Sequence, residues 1–255
     1  MAAKKGRDYD TFVQFERPLW NAGIKRIAGV DEAGRGPLAG PLVAAACILE
    51  PDVPFPGVDD SKKLSPKKRF QLYHTLIHSP HVTYAIATID ANVIDQKGLA
   101  AAWSGVMQKA ADAVSPDYLL IDGPRFIPIA SQDLTFGREI VSSSKAKEIE
   151  GNSLASYRDQ TKIPSSRLAA SKTPYQCIIR GDSLSLSIAA ASILAKVFRD
   201  DLMQKYHAKW PEYGFDAHKG YGTKRHLLAL QKHGPCPIHR RSFAPVAKLK
   251  VANSR

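Results

Sequence analysis

An α/β fold with a helical C-terminal portion is what this 255-residue chain predicts, and three observations lead there. Short apolar runs that read as strands alternate with stretches that read as helices. The Ala-rich segment Ser183–Lys209 reads as one long helix, followed by a further helical pattern. Apolar residues make up 44% of the chain, enough to bury a full core, as one large domain or a domain with an appendage.

The elements follow in order. Residues 1–24 form a polar lead-in with a short helix expected around Tyr9–Glu16. Ile27–Asp31 and Leu42–Leu49 read as buried strands joined through a Gly/Pro loop. Pro51–Ser65 is a connection, and Pro66 stands where a first helical turn tolerates proline, so Lys67–His78 is predicted helical. Val82–Ile89 alternates and is β-branched, which predicts a strand. Asn92–Val114 reads as helical with a break near Gly98, and Tyr118–Asp122 as a short strand closed by a carboxylate and Gly-Pro. From Ser131 to Lys172 polar residues dominate and periodicity is weak. Tyr175–Ile179 resumes as a strand. After the long helix come a loop over Pro211–Gly222, a helix over Thr223–His233 and a basic, Pro-interrupted tail.

Thirty-six Lys and Arg against 24 Asp and Glu give a net charge of +12, which favours a polyanionic partner, nucleic acid before membrane. Cys47, Cys177 and Cys236 are odd in number and far apart, with neither zinc spacing nor a disulfide framework, so a reducing cytoplasm is expected, with Cys47 in the core. The first residues are polar and no apolar stretch approaches a membrane span, so a soluble, cytoplasmic protein is expected.

The most informative stretch runs from Ile27 to Pro41, where an apolar run ends on Asp31 and Glu32 and a Gly34-Arg35-Gly36 turn follows. Adjacent acids closing an apolar strand have no common structural role. Asp122 and Asp182 also stand at ends of apolar segments beside glycine. Strand ends in open α/β sheets are where ligands gather. Each of the latter two also has a plainer reading, Asp122 as a turn former and Asp182 as a helix cap. Four converging carboxylates would repel one another unless divalent ions relieved them, and a two-ion site roughly 4 Å across suits hydrolysis of a phosphodiester. Asp31 and Glu32 point to opposite faces if the strand continues, so the strand is expected to end at Asp31 and the Ala33-Gly34 turn to swing Glu32 round.

These residues resemble ribonuclease HII, the bacterial type 2 ribonuclease H. The run Asp31-Glu-Ala-Gly-Arg-Gly-Pro-Leu-Ala-Gly-Pro41 matches the family signature nearly word for word. Asp60-Ser-Lys-Lys-Leu-Ser, Leu120-Ile-Asp-Gly, Gly181-Asp-Ser, Ile188 through Asp200, His218-Lys-Gly-Tyr-Gly-Thr223 and His239-Arg-Arg-Ser-Phe-Ala-Pro245 follow in the family's order. Gly-Arg-Gly separates the chain from the sister type HIII enzymes, which carry Gly-Lys-Gly. The resemblance implies an RNase H-like mixed sheet flanked by helices over 25–210 and a helical C-terminal region with a basic tail over 211–255. It implies catalysis and metal binding by Asp31, Glu32, Asp122 and Asp182 with Mg²⁺ or Mn²⁺. The implied reaction is cleavage of RNA in RNA–DNA hybrids, with incision 5′ to single ribonucleotides in duplex DNA leaving 3′-OH and 5′-phosphate ends.

Sensing one ribose requires contact with its 2′-OH, the group that separates RNA from DNA. The backbone of Gly34, Arg35 and Gly36 suits this, because glycine lets the chain approach closely. Tyr221, between two glycines, resembles the family's junction-sensing tyrosine, whose ring packs on the adjacent deoxyribose. Ser61, Lys62 and Lys63, and Lys196 with Arg199 on the long helix, would hold backbone phosphate, and Ser192 lies one turn from Lys196. Lys67, Lys68 and Arg69 read as a solvated helix face, Asp200 as the partner of a nearby Arg, and His218, His226 and His239 as residues outside the site.

The chain departs from compact members in the long gap between Asp122 and Asp182, read as an insertion over 131–172 in a surface loop. No paired-aromatic clamp-binding motif is visible, and nothing demands more than a monomer. The rivals are a structure-specific DNA nuclease on the same fold and a non-catalytic hybrid-binding module.

Overall fold

The computed structural model describes residues 8–128, 140–142 and 173–252. Its centre is a six-stranded mixed sheet of β1 (Ile27–Ala33), β2 (Leu42–Leu49), β3 (Val82–Ile89), β4 (Tyr118–Asp122), β5 (Ile140–Ser142) and β6 (Tyr175–Ile178), ordered β5-β3-β2-β1-β4-β6. The consecutive strands β1, β2 and β3 pair antiparallel, whereas β4 lies parallel to β1 and β6 parallel to β4.

The helices are α1 (Tyr9–Phe12), α2 (Glu16–Asn21), α3 (Pro66–His78), α4 (Ala91–Lys97), α5 (Leu99–Ala113), α6 (Leu186–Lys209), α7 (Phe215–His218), α8 (Lys224–His233) and α9 (Ala244–Ala252). Every residue of β2 is buried, because helices cover both faces of the sheet. Val43, Ala45 and Cys47 face α3 and α6, while Leu42, Ala44 and Ala46 face α4 and α5. Small side chains set the spacing on the first face, where Ala189, Ala190 and Ala191 of α6 join the same buried cluster as Ala45. A further cluster, including Leu38, Met203, Phe215 and Leu230, fastens the C-terminal helices to the loop after β1.

Local chemistry explains the boundaries. Ser65 caps α3 by accepting from the Lys68 N–H, with Pro66 in the first turn. Gly98, at φ +80°, ends α4 and starts α5, the break expected there. Other expectations need correction. The lead-in holds two short helices, not one over Tyr9–Glu16. The long helix starts at Leu186 after a 3₁₀ turn, Gly181–Ser183, and its cap is Ser185, not Asp182. The basic tail ends in a helix, α9, which the prolines had hidden.

β1 does not stop at Asp31. It stays paired with β2 as far as Ala33↔Val43, so the expected turn at Glu32 is absent and consecutive side chains alternate through it. Most of the stretch 131–172, read as an insertion, lies outside the described residues; within it Ile140–Ser142 forms the edge strand beside β3. No helix among the described residues is long and apolar enough to cross a membrane.

Candidate active site

Three of the four predicted acids meet. Asp31, Asp122 and Asp182 each present an oxygen within 4.8 Å of the others. The sheet explains the first two: parallel pairing of β1 with β4 ends at Val30↔Ile121, and the next residue of each strand is Asp31 and Asp122. The third arrives by a tight turn. After β6, Arg180 adopts a left-handed conformation at φ 59°, and the 3₁₀ turn carries Asp182 back over β4. The Gly181 N–H donates to Asp122 Oδ1 at 2.6 Å.

Gly29 makes this approach possible. A Cβ there would lie 2.1 Å from the Ser187 carbonyl carbon, so α6 starts directly against β1. Glu16 of α2 anchors the same helix start: its buried Oε1 accepts from Ser185 Oγ (2.6 Å), Ser187 N–H (3.0 Å) and Ser187 Oγ (2.7 Å). Sequence reading assigned Glu16 no role, since one acid in a polar lead-in carries no signal of burial.

The cluster is electrostatically strained. Burial first, and then the charges of Glu32, Asp122 and Asp182, push the Asp31 carboxyl well above the usual carboxylate range. Asp122 is pushed up to about 6, by burial and then by Asp182. Glu32 stands outside the three-acid group, on the next position of β1; its N–H donates to Asp31 Oδ1 at 2.7 Å and its charge acts on both Asp31 and Asp122. A set of oxygen donors that resist holding their charges together suits a hard divalent cation, and no soft ligand is among them. Lys62 supplies a positive charge, Nζ standing 3.2 Å from Asp182 Oδ2. Burial works to lower this ammonium, but the nearby carboxylates, Asp182 foremost, outweigh it and the lysine is held above its ordinary value.

Beside the acids runs the loop from Gly34 to Pro41, with Arg35 and Gly36 exposed and Gly34 buried. Two buried guanidiniums hold it from beneath. Arg240 donates to the carbonyls of Gly34 (2.5 Å), Arg35 (2.9 Å) and Gly40 (3.0 Å), and Arg199 to those of Ala39 (3.1 Å), Pro41 (3.0 Å) and Lys219 (3.0 Å). These bonds draw the carbonyls inward and brace the loop from its buried side. Gly34, at φ +96°, closes over Arg199, whose Nε would lie 2.0 Å from any Cβ placed there. The Tyr221 ring stands across from Gly36, 3.9 Å from the position of a Cβ on it, so the two elements share one surface.

Arg240 lies in the family-like block His239–Pro245, but its burial was not legible there, because arginine usually signals surface. Arg240→Met should cost on the order of 3–5 kcal/mol, since several buried carbonyls lose their donors at about 1–3 kcal/mol each. Urea denaturation measures this, and a loss below about 1 kcal/mol would show the loop to be self-supporting.

The remaining predicted residues divide. Lys63 is exposed near the acids, its Nζ 2.9 Å from Ser183 Oγ. Lys62 has its ammonium at the acids, as described. Ser61 and Ser192 are buried against each other, the Ser61 N–H donating to Ser192 Oγ, which itself donates to the Ala189 carbonyl. The expectation that Ser192 and Lys196 reach one strand together is therefore corrected, and so is the phosphate role of Arg199, because both Ser192 and Arg199 spend their donors inside the protein. Lys196 pairs with Asp200 at 2.7 Å. Asp200 also meets Arg69 at 3.5 Å, so Asp200 has the expected Arg partner while Arg69 leaves the solvated face where Lys67 and Lys68 remain. Asp60, which opens a family-like block but was assigned no role from sequence, accepts from Ser183 Oγ (3.3 Å) and the Lys62 N–H (2.9 Å), tying the lysine loop to the turn that carries Asp182.

The family model for ribonuclease HII matches residues 28–156 and 157–246. The ribonuclease HII of Chlamydia muridarum is 45% identical over 234 residues, covering 91% of this chain and 88% of the relative; that of Chlamydia pneumoniae is 42% identical over 241 residues, covering 94% and 92%. Among solved structures, the ribonuclease H2 from Pyrococcus horikoshii OT3 aligns with a TM-score of 0.63 at 24% identity, covering 90% of this chain and 99% of that one. Bst-RNase HIII in complex with Mn²⁺ aligns at 0.56 and 20% identity, covering 90% and 71%. At these identities the structures show a shared RNase H-like fold.

Proposed function

The chain belongs to the ribonuclease HII family and is a type 2 ribonuclease H, an endoribonuclease of RNA–DNA hybrids, and from that premise we propose that it also incises 5′ to single ribonucleotides in duplex DNA, leaving 3′-OH and 5′-phosphate ends. The observation that carries this reading is the Gly36–Tyr221 surface beside the three meeting acids.

In this reading Asp31, Asp122 and Asp182 hold the divalent ions, Mg²⁺ or Mn²⁺, with Glu32 contributing from the adjacent position. Such ions, when bound, supply water activation on one side of the scissile phosphate and charge stabilisation of the departing 3′ oxygen on the other. The chain itself performs the selection. The Gly34–Gly36 turn, exposed at Arg35 and Gly36, meets the 2′-OH through backbone groups other than the Gly34 and Arg35 carbonyls, which Arg240 holds inward. Tyr221 packs on the following deoxyribose, where an additional 2′-OH would crowd its ring. Lys62 and Lys63 bring the phosphate backbone to the acids, and Ser61 fixes the loop that carries them. Lys196 of α6 reaches backbone phosphate by exchanging its contact with Asp200.

The test is a labelled DNA duplex with one ribonucleotide, beside an all-DNA control, in Mg²⁺, Mn²⁺ and EDTA. A single metal-dependent cut 5′ to the ribonucleotide, with the control intact, is expected. Cutting of both duplexes would mean a structure-specific DNA nuclease, and tight binding without cleavage would mean a hybrid-binding module.

A further inference from the structure

Three histidines outside the acid cluster are more than core filling. His226 and His239 are fully buried and His218 is half-buried; burial favours neutral rings, and for neutral rings the contacts His226 makes to the Tyr221 carbonyl and to His239 select one arrangement of protons. His226 Nδ1 faces the Tyr221 carbonyl at 2.9 Å, which can only accept, so Nδ1 carries the hydrogen. Its Nε2 is then bare and faces His239 Nε2 at 3.0 Å, which must donate. His239 Nδ1 is in turn bare, as required by the Cys236 N–H that points at it from 3.0 Å. The Cys236 carbonyl, also close to that ring, is supplied by the His239 backbone N–H at 3.1 Å. A chain of neutral donors thus runs from Cys236 through both imidazoles and ends on Tyr221.

His218 completes the hold from the other side. It stacks on His226 with centroids 4.5 Å apart, donates Nε2–H to the Tyr213 carbonyl at 2.7 Å, and accepts the Gly220 N–H at Nδ1 at 3.2 Å. Both flanks of Tyr221 are therefore held by imidazoles. The same segment is tied to the glycine loop, because the Leu38 N–H donates to the Gly220 carbonyl at 2.8 Å and Ala39 pairs with His239. Gly220 is required at this crossing, where a Cβ would stand 2.3 Å from the Ala39 carbonyl oxygen.

We propose that the His239–His226 relay is a positioning device that sets Tyr221 against the Gly34–Gly36 loop, and so controls discrimination between a ribonucleotide–DNA junction and continuous RNA. The inference rests on the junction-sensing reading of Tyr221 given above. It assigns His226 and His239 no contact with substrate.

The substitutions are chosen so that loss of fold does not mimic the effect. An asparagine amide nitrogen can take the place of imidazole Nδ1, so His226→Asn keeps the bond to Tyr221 while losing His239; His226→Leu loses both. The readout is the ratio of kcat/KM on a single-ribonucleotide duplex to kcat/KM on a long RNA–DNA hybrid. His226→Leu should lower this ratio about tenfold, and His226→Asn, whose amide keeps the Tyr221 bond but is no longer oriented by His239, should recover only part of that loss. In a Tyr221→Ala background, His226→Leu should change the ratio no further.

If both His226 variants lose the two activities in equal proportion, or both leave the ratio unchanged while Tyr221→Ala shifts it, the relay is overturned and the Tyr221 reading stands. If Tyr221→Ala itself leaves the ratio unchanged, both fall. A measurement on the unmodified protein is independent of folding: imidazole ¹⁵N shifts should show His226 as the Nδ1–H tautomer and His239 as the Nε2–H tautomer. The opposite tautomers, or doubly protonated rings at pH 7, would overturn the relay.

Discussion

Asp122→Asn should lower cleavage at least about a thousandfold, near 4 kcal/mol of transition-state stabilisation, while making the metal-free protein more stable at neutral pH. The two effects have one origin. Asp122 is one of three acids that meet, and burial followed by the charge of Asp182 raises its carboxyl to about 6. A folded-state value above the unfolded one means that the native protein binds more protons between about pH 4 and 6, so its stability falls as pH rises through that window. Asparagine removes the charge and retains an oxygen for the Gly181 N–H. The expected gain at pH 7 in EDTA is on the order of 1–2 kcal/mol, allowing for solvent screening of a half-buried group, and it should vanish near pH 4. Added Mg²⁺ or Mn²⁺ should raise the melting temperature of the unmodified protein more than that of the variant. A variant that cleaves normally would remove Asp122 from the reaction; one less stable than the parent at pH 7 in EDTA would remove the strain.

The same acids show what a sequence reveals and what it withholds. Asp31, Asp122 and Asp182 were legible because each stands at the end of an apolar run, Asp31 paired with Glu32 just before a glycine turn and the other two beside glycine, a local pattern. Where the strand around Glu32 ends was not legible, because that is decided by pairing: the β1–β2 ladder runs to Ala33 while β1–β4 ends at Val30. The layered fold could be read from alternating strand and helix patterns. Helix α9 could not, since Pro245 suggests a break although proline fits a first helical turn. Ser192 and Arg199 lie in a recognisable motif, but whether they face substrate or interior depends on how closely α6 meets the sheet. Arg240 stood in a recognisable motif, but its role as an internal brace was not legible, because its partners are carbonyls 200 or more residues away along the chain.

That close approach of α6 underlies the second large effect, expected from Gly29→Ala. In the interior of a strand, alanine in place of glycine ordinarily stabilises by roughly 0.5–1 kcal/mol, so the general rule predicts a gain. Gly29 has no left-handed backbone that would forbid a side chain; only space is at issue. The added Cβ would lie 2.1 Å from Ser187 C, 2.2 Å from Ile188 N and 2.5 Å from Ser187 O, all backbone atoms that no rotamer change can move. Helix α6 must lift by more than 1 Å to reach ordinary contact distance, against the Glu16 anchor and the cluster around Ala189–Ala191. A cost of about 3–5 kcal/mol is expected in urea denaturation, reversing the sign of the general rule. Asp182 precedes this helix by four residues and moves with it, and a misplacement of about 1 Å can cost roughly a hundredfold in rate. Cleavage should therefore fall about that much even at a low temperature where circular dichroism shows the variant folded. A variant as stable as the parent would show that α6 and β1 separate freely; a folded variant of full activity would show that the position of Asp182 does not depend on them. The sign of the stability change decides the first question and the rate of the folded variant the second, so the two roles of one missing side chain are measured apart.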